Sequence, residues 1–242
     1  MWLFRELGDH ARVVFTDRHG GVSTPPFDSL NLGNHTRDDP LSVATNLRAV
    51  HERAPVPVRP DAWLRLTQVH GAGIVDADGP VSPESPEGDA AVTGTPGRVL
   101  VVITADCAPV ALAAGRFLGV VHAGWRGLEA GVIEATVAAL RDRAGPDAAV
   151  HAVLGPCIHP DHYEFGGAEL DRVVAALGPE VRGSTGDGRP ALDVPAAVRR
   201  ALGRSGVRRF DDVDLCTYAS VDHFSHRRDG ETGRQALVAW MP

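Results

Sequence analysis

Three separated motifs carry the side chains best suited to chemistry: QVHG at 68–71, TADC at 104–107 and HAGWRG at 122–127. They offer His70, Cys107 and His122. Two imidazoles and one thiolate suit zinc, and three protein ligands leave a fourth position open for water or substrate. One thiolate offsets one of the ion's two charges, so the site stays cationic and a coordinated water can ionise near neutral pH. Each of the three residues follows a strand-like segment and sits beside glycine or another small residue, so all three can converge at one sheet edge. The competing reading is an inert buried cysteine with ordinary histidines; eleven histidines allow accidental combinations, so spacing alone does not decide.

Other polar residues could complete such a site. Asp106 adjoins Cys107: strand geometry turns it away, whereas a sharp turn brings both inward. It can orient a ligand, shuttle a proton or simply satisfy backbone amides. His35 ends DRHGGVSTPPFDSLNLGNH at 17–35, a stretch too rich in glycine, proline and serine for a regular element and therefore a candidate functional loop. It is a candidate pocket acid, base or hydrogen-bond donor, or else a surface histidine. Asn31 in the same loop and Gln68 in QVHG are further candidates for substrate contacts. Arg126, Arg227 and Arg228 are candidates for substrate phosphate, because a guanidinium offers two aligned donors; Arg65 is a fourth. Cys157 with His159 offers a rival nucleophile, although a small buried cysteine explains GPC equally well. Cys216 reads as a core cysteine.

The elements that must position these residues interleave along the chain. Strand character appears at 13–16, 63–69, 98–104, 117–122, 149–155 and 235–240. The segments 98–104 and 117–122, with a turn around Gly115, read as adjacent strands. Asp39 and Pro40 open a helix over 40–51. Apolar spacing places further helices over 127–143 and 168–176, and Asp193 caps another over 194–201. Residues 78–89 and 184–190 read as loops. HAGWRG is then a strand-to-helix turn, where a helix N-terminus could help hold an anion. No Gly-x-Gly-x-x-Gly or phosphate-loop motif and no internal repeat is present.

At 242 residues and 43% hydrophobic, the chain is large enough for one substantial core, and one domain over 1–242 is expected because no linker divides it. A net charge of −7 with scattered basic residues argues against nucleic-acid or membrane partners, but not against a small anion in a local basic pocket. Three widely spaced cysteines make a poor disulfide framework, and MWLFRELGDH lacks a signal-peptide pattern, so a cytoplasmic protein is expected.

Taken in order, the motifs closely resemble the multicopper-polyphenol-oxidase-like, or YfiH-like, laccase-domain family. The resemblance runs through GGVS at 20–23, SLNLGNH at 29–35, QVHG, DAAVT at 89–93, TADCAPV at 104–110 and HAGWRG. It continues through GPCIHPDHYEFG at 155–166, CTY at 216–218, FSHRRDG at 224–230 and TGRQA at 232–236. It implies an α/β (α+β) fold, a single layered α-β-β-α sandwich, with His70, Cys107 and His122 as the metal ligands. It further implies a zinc-dependent purine nucleoside phosphorylase that cleaves adenosine, inosine, guanosine or methylthioadenosine with phosphate, with adenosine deaminase as a side activity. Its partners would be purine nucleosides and phosphate, and its state a monomer or weak homo-oligomer. The chain departs from the usual pattern with His226 where tyrosine is common and His159 where glycine is common. A true multicopper laccase needs several metals held by paired histidines; this chain has one three-ligand cluster and no HCH run, so copper is expected only as an adventitious substitute. The rival functions are an amidohydrolase that edits a peptidoglycan precursor and a non-enzymatic metal-binding protein.

Overall fold

The computed structural model describes residues 2–8, 10–80 and 84–242. In its first half the elements are β1 (Leu3–Leu7), β2 (Ala11–Phe15), α1 (Pro40–Arg53), β3 (Leu64–Arg65), β4 (Ile74–Asp76), β5 (Ala90–Thr93), β6 (Val99–Thr104), β7 (Ala108–Ala114) and β8 (Phe117–Ala123). Then come α2 (Trp125–Glu129), α3 (Val132–Ala144), β9 (Val150–Leu154), α4 (Gly167–Leu177), β10 (Arg182–Ser184), β11 (Pro190–Leu192), α5 (Val194–Arg204), β12 (Arg209–Asp212), α6 (His226–Asp229) and β13 (Gln235–Trp240). The strands form a five-stranded sheet, β1-β2-β13-β6-β3, a six-stranded sheet, β12-β9-β7-β8-β5-β4, and the small hairpin β10-β11.

Alternating side chains explain how the sheets stack, because successive strand residues point to opposite faces. Leu100 and Val102 of β6 join Phe15, Leu237 and Ala239 in a cluster with Ala111, Leu118 and Val120 of the second sheet. Their neighbours Val99 and Val101 pack with Val238 and Trp240 against Val43, Leu47 and Val50 of α1. On the far side of the second sheet, Val110, Leu112 and Val121 pack against Ile133 and Leu140 of α3, Leu170 of α4 and Val198 of α5. The order is helix, sheet, sheet, helix, the layered α-β-β-α sandwich expected from the motifs. Both faces of each central strand are apolar because both are covered. No helix among the described residues is long and apolar enough to cross a membrane.

Local signals were reliable where caps and turns spoke clearly. Asp39 accepts from the amides of Leu41 and Ser42, and Asp193 accepts from Ala196. The reading of 98–104 and 117–122 as adjacent strands is corrected: β6 lies in one sheet and β8 in the other, and β8 pairs with the intervening β7. Strand 63–69 contracts to Leu64–Arg65, because the chain leaves regular pairing before His70, whose φ is 60°. The single helix over 127–143 is two helices, separated at Gly131 with φ 82°. The 184–190 loop connects β10 to β11, and the 78–89 loop includes residues 81–83, which lie outside the described residues.

Candidate metal centre

His70, Cys107 and His122 converge from three parts of the chain, with one ligand atom from each lying within 4.8 Å of the others. His122 belongs to β8, opposite Pro109 of β7, so the β7–β8 register places it beside the residue that enters β7. Cys107 is that residue. It follows Asp106, whose φ of 106° is rare for a residue with a Cβ. The Asp106 carboxylate accepts from Thr217 Oγ1 at 2.7 Å and from the Arg227 amide at 2.7 Å, two bonds that hold the unusual backbone. That kink separates the two side chains: Cys107 lines the metal cavity and Asp106 braces the 217 and 227 segments.

Asp89, at the mouth of β5, organises the other two ligands. It is fully buried and accepts His122 Nδ1 at 2.7 Å. It also accepts the amides of His70 at 2.9 Å, Gly71 at 2.7 Å and Val69 at 3.2 Å. One carboxylate therefore shapes the His70 turn and fixes the His122 ring with Nε2 free to coordinate. The His70 and His122 rings meet edge to face, with centroids 4.8 Å apart. Gly124 is required by contact: a Cβ there would lie 2.8 Å from His70 Cδ2 and 3.4 Å from Cys107 Sγ.

The electrostatics prepare a ligand set. Burial alone pushes the Cys107 thiol up, but charge and hydrogen bonds from His122 and His70 bring it down to about 6. Burial pulls His122 down, yet Cys107 and Asp89 raise it to about 9. Burial raises the Asp89 carboxyl, and the His122, Gly71 and His70 hydrogen bonds more than reverse this, leaving it below the usual range. Without metal, the cluster is a thiolate–imidazolium pair held by a carboxylate.

The cluster opens on a cavity of about 310 Å³, also lined by His35, Gln68, Thr104, His226 and Arg234. This is near the lower end of small-molecule sites. Burial, then Arg234, His122 and His70, lowers the His35 pKa, keeping its ring neutral at physiological pH. Gln68 spends both ends of its amide on the backbone of Ile103. The Thr104 hydroxyl is buried without a hydrogen-bond partner among the described residues.

The remaining sequence candidates lie elsewhere. Asn31 is buried, accepts from the amides of Gly33 and Arg234, and ties the His35 loop to the start of β13. Arg65 lines a separate cavity of about 220 Å³ behind that loop. Arg126 lies over the Trp125 ring at 4.2 Å, and Arg227 over the Tyr163 ring at 4.7 Å. Arg228 is not brought to the cavity; it donates to the carbonyls of Thr217, Tyr218, Ser220 and His223 and pairs with Asp229. The Cys157 thiol is buried and pushed well up, chiefly by that burial, which opposes a nucleophilic role. Sequence reasoning missed Asp89 and Arg234. Both stood inside quoted motifs, DAAVT and TGRQA, but nothing local distinguishes them from ordinary charged residues beside strands.

A Streptomyces coelicolor protein named purine nucleoside phosphorylase is 40% identical over 240 residues, covering 98% of each chain. A Mycobacterium tuberculosis protein of the same name is 39% identical over 232 residues, covering 95% of this chain and 92% of its own. Among solved structures, a Neisseria meningitidis protein matches with a TM-score of 0.88 at 34% identity, covering 99% of this chain and 98% of that one. YlmD from Geobacillus stearothermophilus matches at 0.85 and 31% identity, covering 96% and 92%. The sequence pattern described as Multi-copper polyphenol oxidoreductase laccase matches residues 12–242, and the chain belongs to that family.

Proposed function

We propose that the protein is a zinc-dependent purine nucleoside phosphorylase that acts on adenosine, inosine, guanosine or methylthioadenosine, with adenosine deamination as a side reaction. The observation that carries the reading is the two-nitrogen, one-sulfur cluster facing a polar cavity, in a chain whose relatives are named purine nucleoside phosphorylase. The donor set fits zinc: His70, Cys107 and His122 are of the right types, lie close enough to share one ion and are poised as thiolate and Asp89-held imidazole. When bound there, zinc supplies Lewis acidity beside the substrate.

The chain's own residues do the rest. Phosphorolysis forms a bond from a phosphate oxygen to C1′ and breaks the bond from C1′ to the base. The site must therefore hold an anion near the sugar and stabilise charge on the departing purine. His35, neutral and inside the cavity, is assigned to hydrogen-bond the nucleoside and relay its proton. Asp106 is assigned as a positioning residue, because its carboxylate holds the backbone that delivers Cys107. Gln68 and Asn31 are assigned to the cavity wall and the His35 loop, while Arg126 and Arg227, stacked on Trp125 and Tyr163, are not assigned to the cavity. Deamination uses the same cavity with C6 of adenine, rather than C1′, toward the cluster.

The test is product analysis with zinc-loaded protein and adenosine, with and without phosphate. Adenine with ribose 1-phosphate, formed only with phosphate, supports phosphorolysis, and inosine reports deamination. Folded zinc protein that converts neither adenosine, inosine nor methylthioadenosine would remove this reading and favour the precursor-editing alternative.

A further inference from the structure

The guanidinium groups of Arg126, Arg227, Arg228 and Arg234 are committed in different ways. Arg228 is consumed by four carbonyls and Asp229. Arg227 lies on Tyr163 and donates to the Glu164 carbonyl, and Arg126 lies on Trp125. Arg234 differs from all three in place: it lines the cavity on which the cluster opens, and it is part-buried where Arg126 and Arg227 are exposed. Its Nη1 donates to the carbonyls of Thr232 and Gly233, and its other N–H groups have no protein partner among the described residues. No carboxylate pairs with it there. Burial lowers its pKa, with Cys107 and Asp106 acting in the opposite sense, so it is a desolvated cation within electrostatic reach of the cluster. An unpaired, partly desolvated guanidinium is costly unless an anion completes it.

Arg234 also stands at a junction. It lines the metal cavity and a second cavity of about 320 Å³, and His35 and His226 line both with it. Glu231, a carboxylate lining the outer cavity, is paired with Arg37 at 3.7 Å. The arginine is held in place from two sides. Its amide donates to the buried Asn31, and its stem lies against Gly33, where a Cβ would come within 2.8 Å of Arg234 Cγ. His226 is fixed as well, since its Nδ1 meets the Gly230 carbonyl at 2.7 Å and must carry the proton. The result is a preorganised fork at the boundary between an outer chamber and the metal chamber.

We propose that Arg234 holds inorganic phosphate at this junction, beside His35 and His226, with the outer cavity as its entry and the nucleoside in the inner one. The chemistry rests on the phosphorylase reading; the anion site stands on the geometry alone. Hydrogen phosphate forms an oxygen–C1′ bond as the C1′–N9 bond breaks. The bond pair leaves with the purine, which gains one proton as phosphate loses one. Ribose 1-phosphate and free base result, with no change in oxidation state.

The experiment titrates inorganic phosphate into zinc-loaded protein by calorimetry and measures the phosphate KM at saturating nucleoside. Loss of a charge-assisted fork in Arg234→Gln is expected to weaken both constants by about 10–100-fold. Arg234→Lys keeps the charge without the fork and should fall between. Arg59→Gln, at an exposed site paired with Asp61, should match wild type. Circular dichroism establishes that each variant is folded, and if Arg234→Gln is not, Arg234→Lys carries the test. Wild-type phosphate affinity in the folded variants overturns the proposal. Failure of the phosphorylase reading looks different: wild type then turns over no nucleoside, while the calorimetric comparison still decides whether Arg234 sets phosphate affinity.

Discussion

Asp89→Asn preserves the shape of the residue that holds the metal centre and removes its charge. In the wild-type protein one carboxylate oxygen accepts from His122 Nδ1 and the His70 amide, and the other from the amides of Gly71 and Val69. Every position around this buried group is a donor, so an asparagine NH₂ must face donors on one side. Turned toward Gly71 and Val69, it leaves two part-buried amides without their acceptor. Turned toward His122, it forces the ring to accept at Nδ1 and carry its proton on Nε2, the atom needed for the metal. Two part-buried donors without acceptors cost about 1–3 kcal/mol of stability in the metal-free protein. Loss of the carboxylate behind a ligating histidine weakens metal binding about 10–100-fold. Competition with a chelator of known zinc affinity reads the second quantity, and urea unfolding of the metal-free protein reads the first. A variant with wild-type zinc affinity and stability would refute the role given to Asp89.

Three further outcomes follow from the same geometry. Zinc needs a thiolate and a free imidazole nitrogen, while the metal-free pair titrates at about 6 for Cys107 and about 9 for His122. Binding therefore releases one proton from this pair between those values and two from it below about 6, so affinity falls as pH falls. Calorimetry in buffers of different ionisation enthalpy at about pH 7.5 should show at least one proton, and none would contradict the pairing. Gly124→Ala places a methyl against His70 and Cys107, and is expected to cost about 1–3 kcal/mol and lower zinc occupancy, read by thermal melting and metal analysis. His223 is buried, and that burial pulls its pKa to about 4 from an ordinary value of 6.5. The unfolded chain therefore binds the extra proton between these values, and the stability contribution, present above 6.5, is lost as pH falls toward 4. The loss is about 3 kcal/mol relative to His223→Gln, measured by denaturant unfolding across that range.

The convergence of His70, Cys107 and His122 was legible because histidine and cysteine in short, ordered motifs carry chemical meaning before any fold is known. The caps at Asp39 and Asp193 were legible because capping is local. What the reading missed depends on contacts between distant segments. β7 was hidden by its own start: Pro109 looks unsuited to a central strand, yet β7 lies between β8 and β9. Arg227-Arg228 reads as a basic pair, but the backbone around 217–223 consumes Arg228. Arg234 has the reverse history: an unremarked side chain before a strand comes to line two cavities. Asp89 acquires its role only when the β5–β8 pairing brings it to His122.

The most direct test of the account is a zinc titration of metal-free protein in which phosphate-dependent release of ribose 1-phosphate is followed alongside bound metal. The account predicts that activity rises to a sharp break at one zinc per chain, and that Cys107→Ala loses both the tightly bound equivalent and the product. Full turnover in chelated, metal-free protein, or activity that requires several coppers and oxygen instead of phosphate, would contradict it.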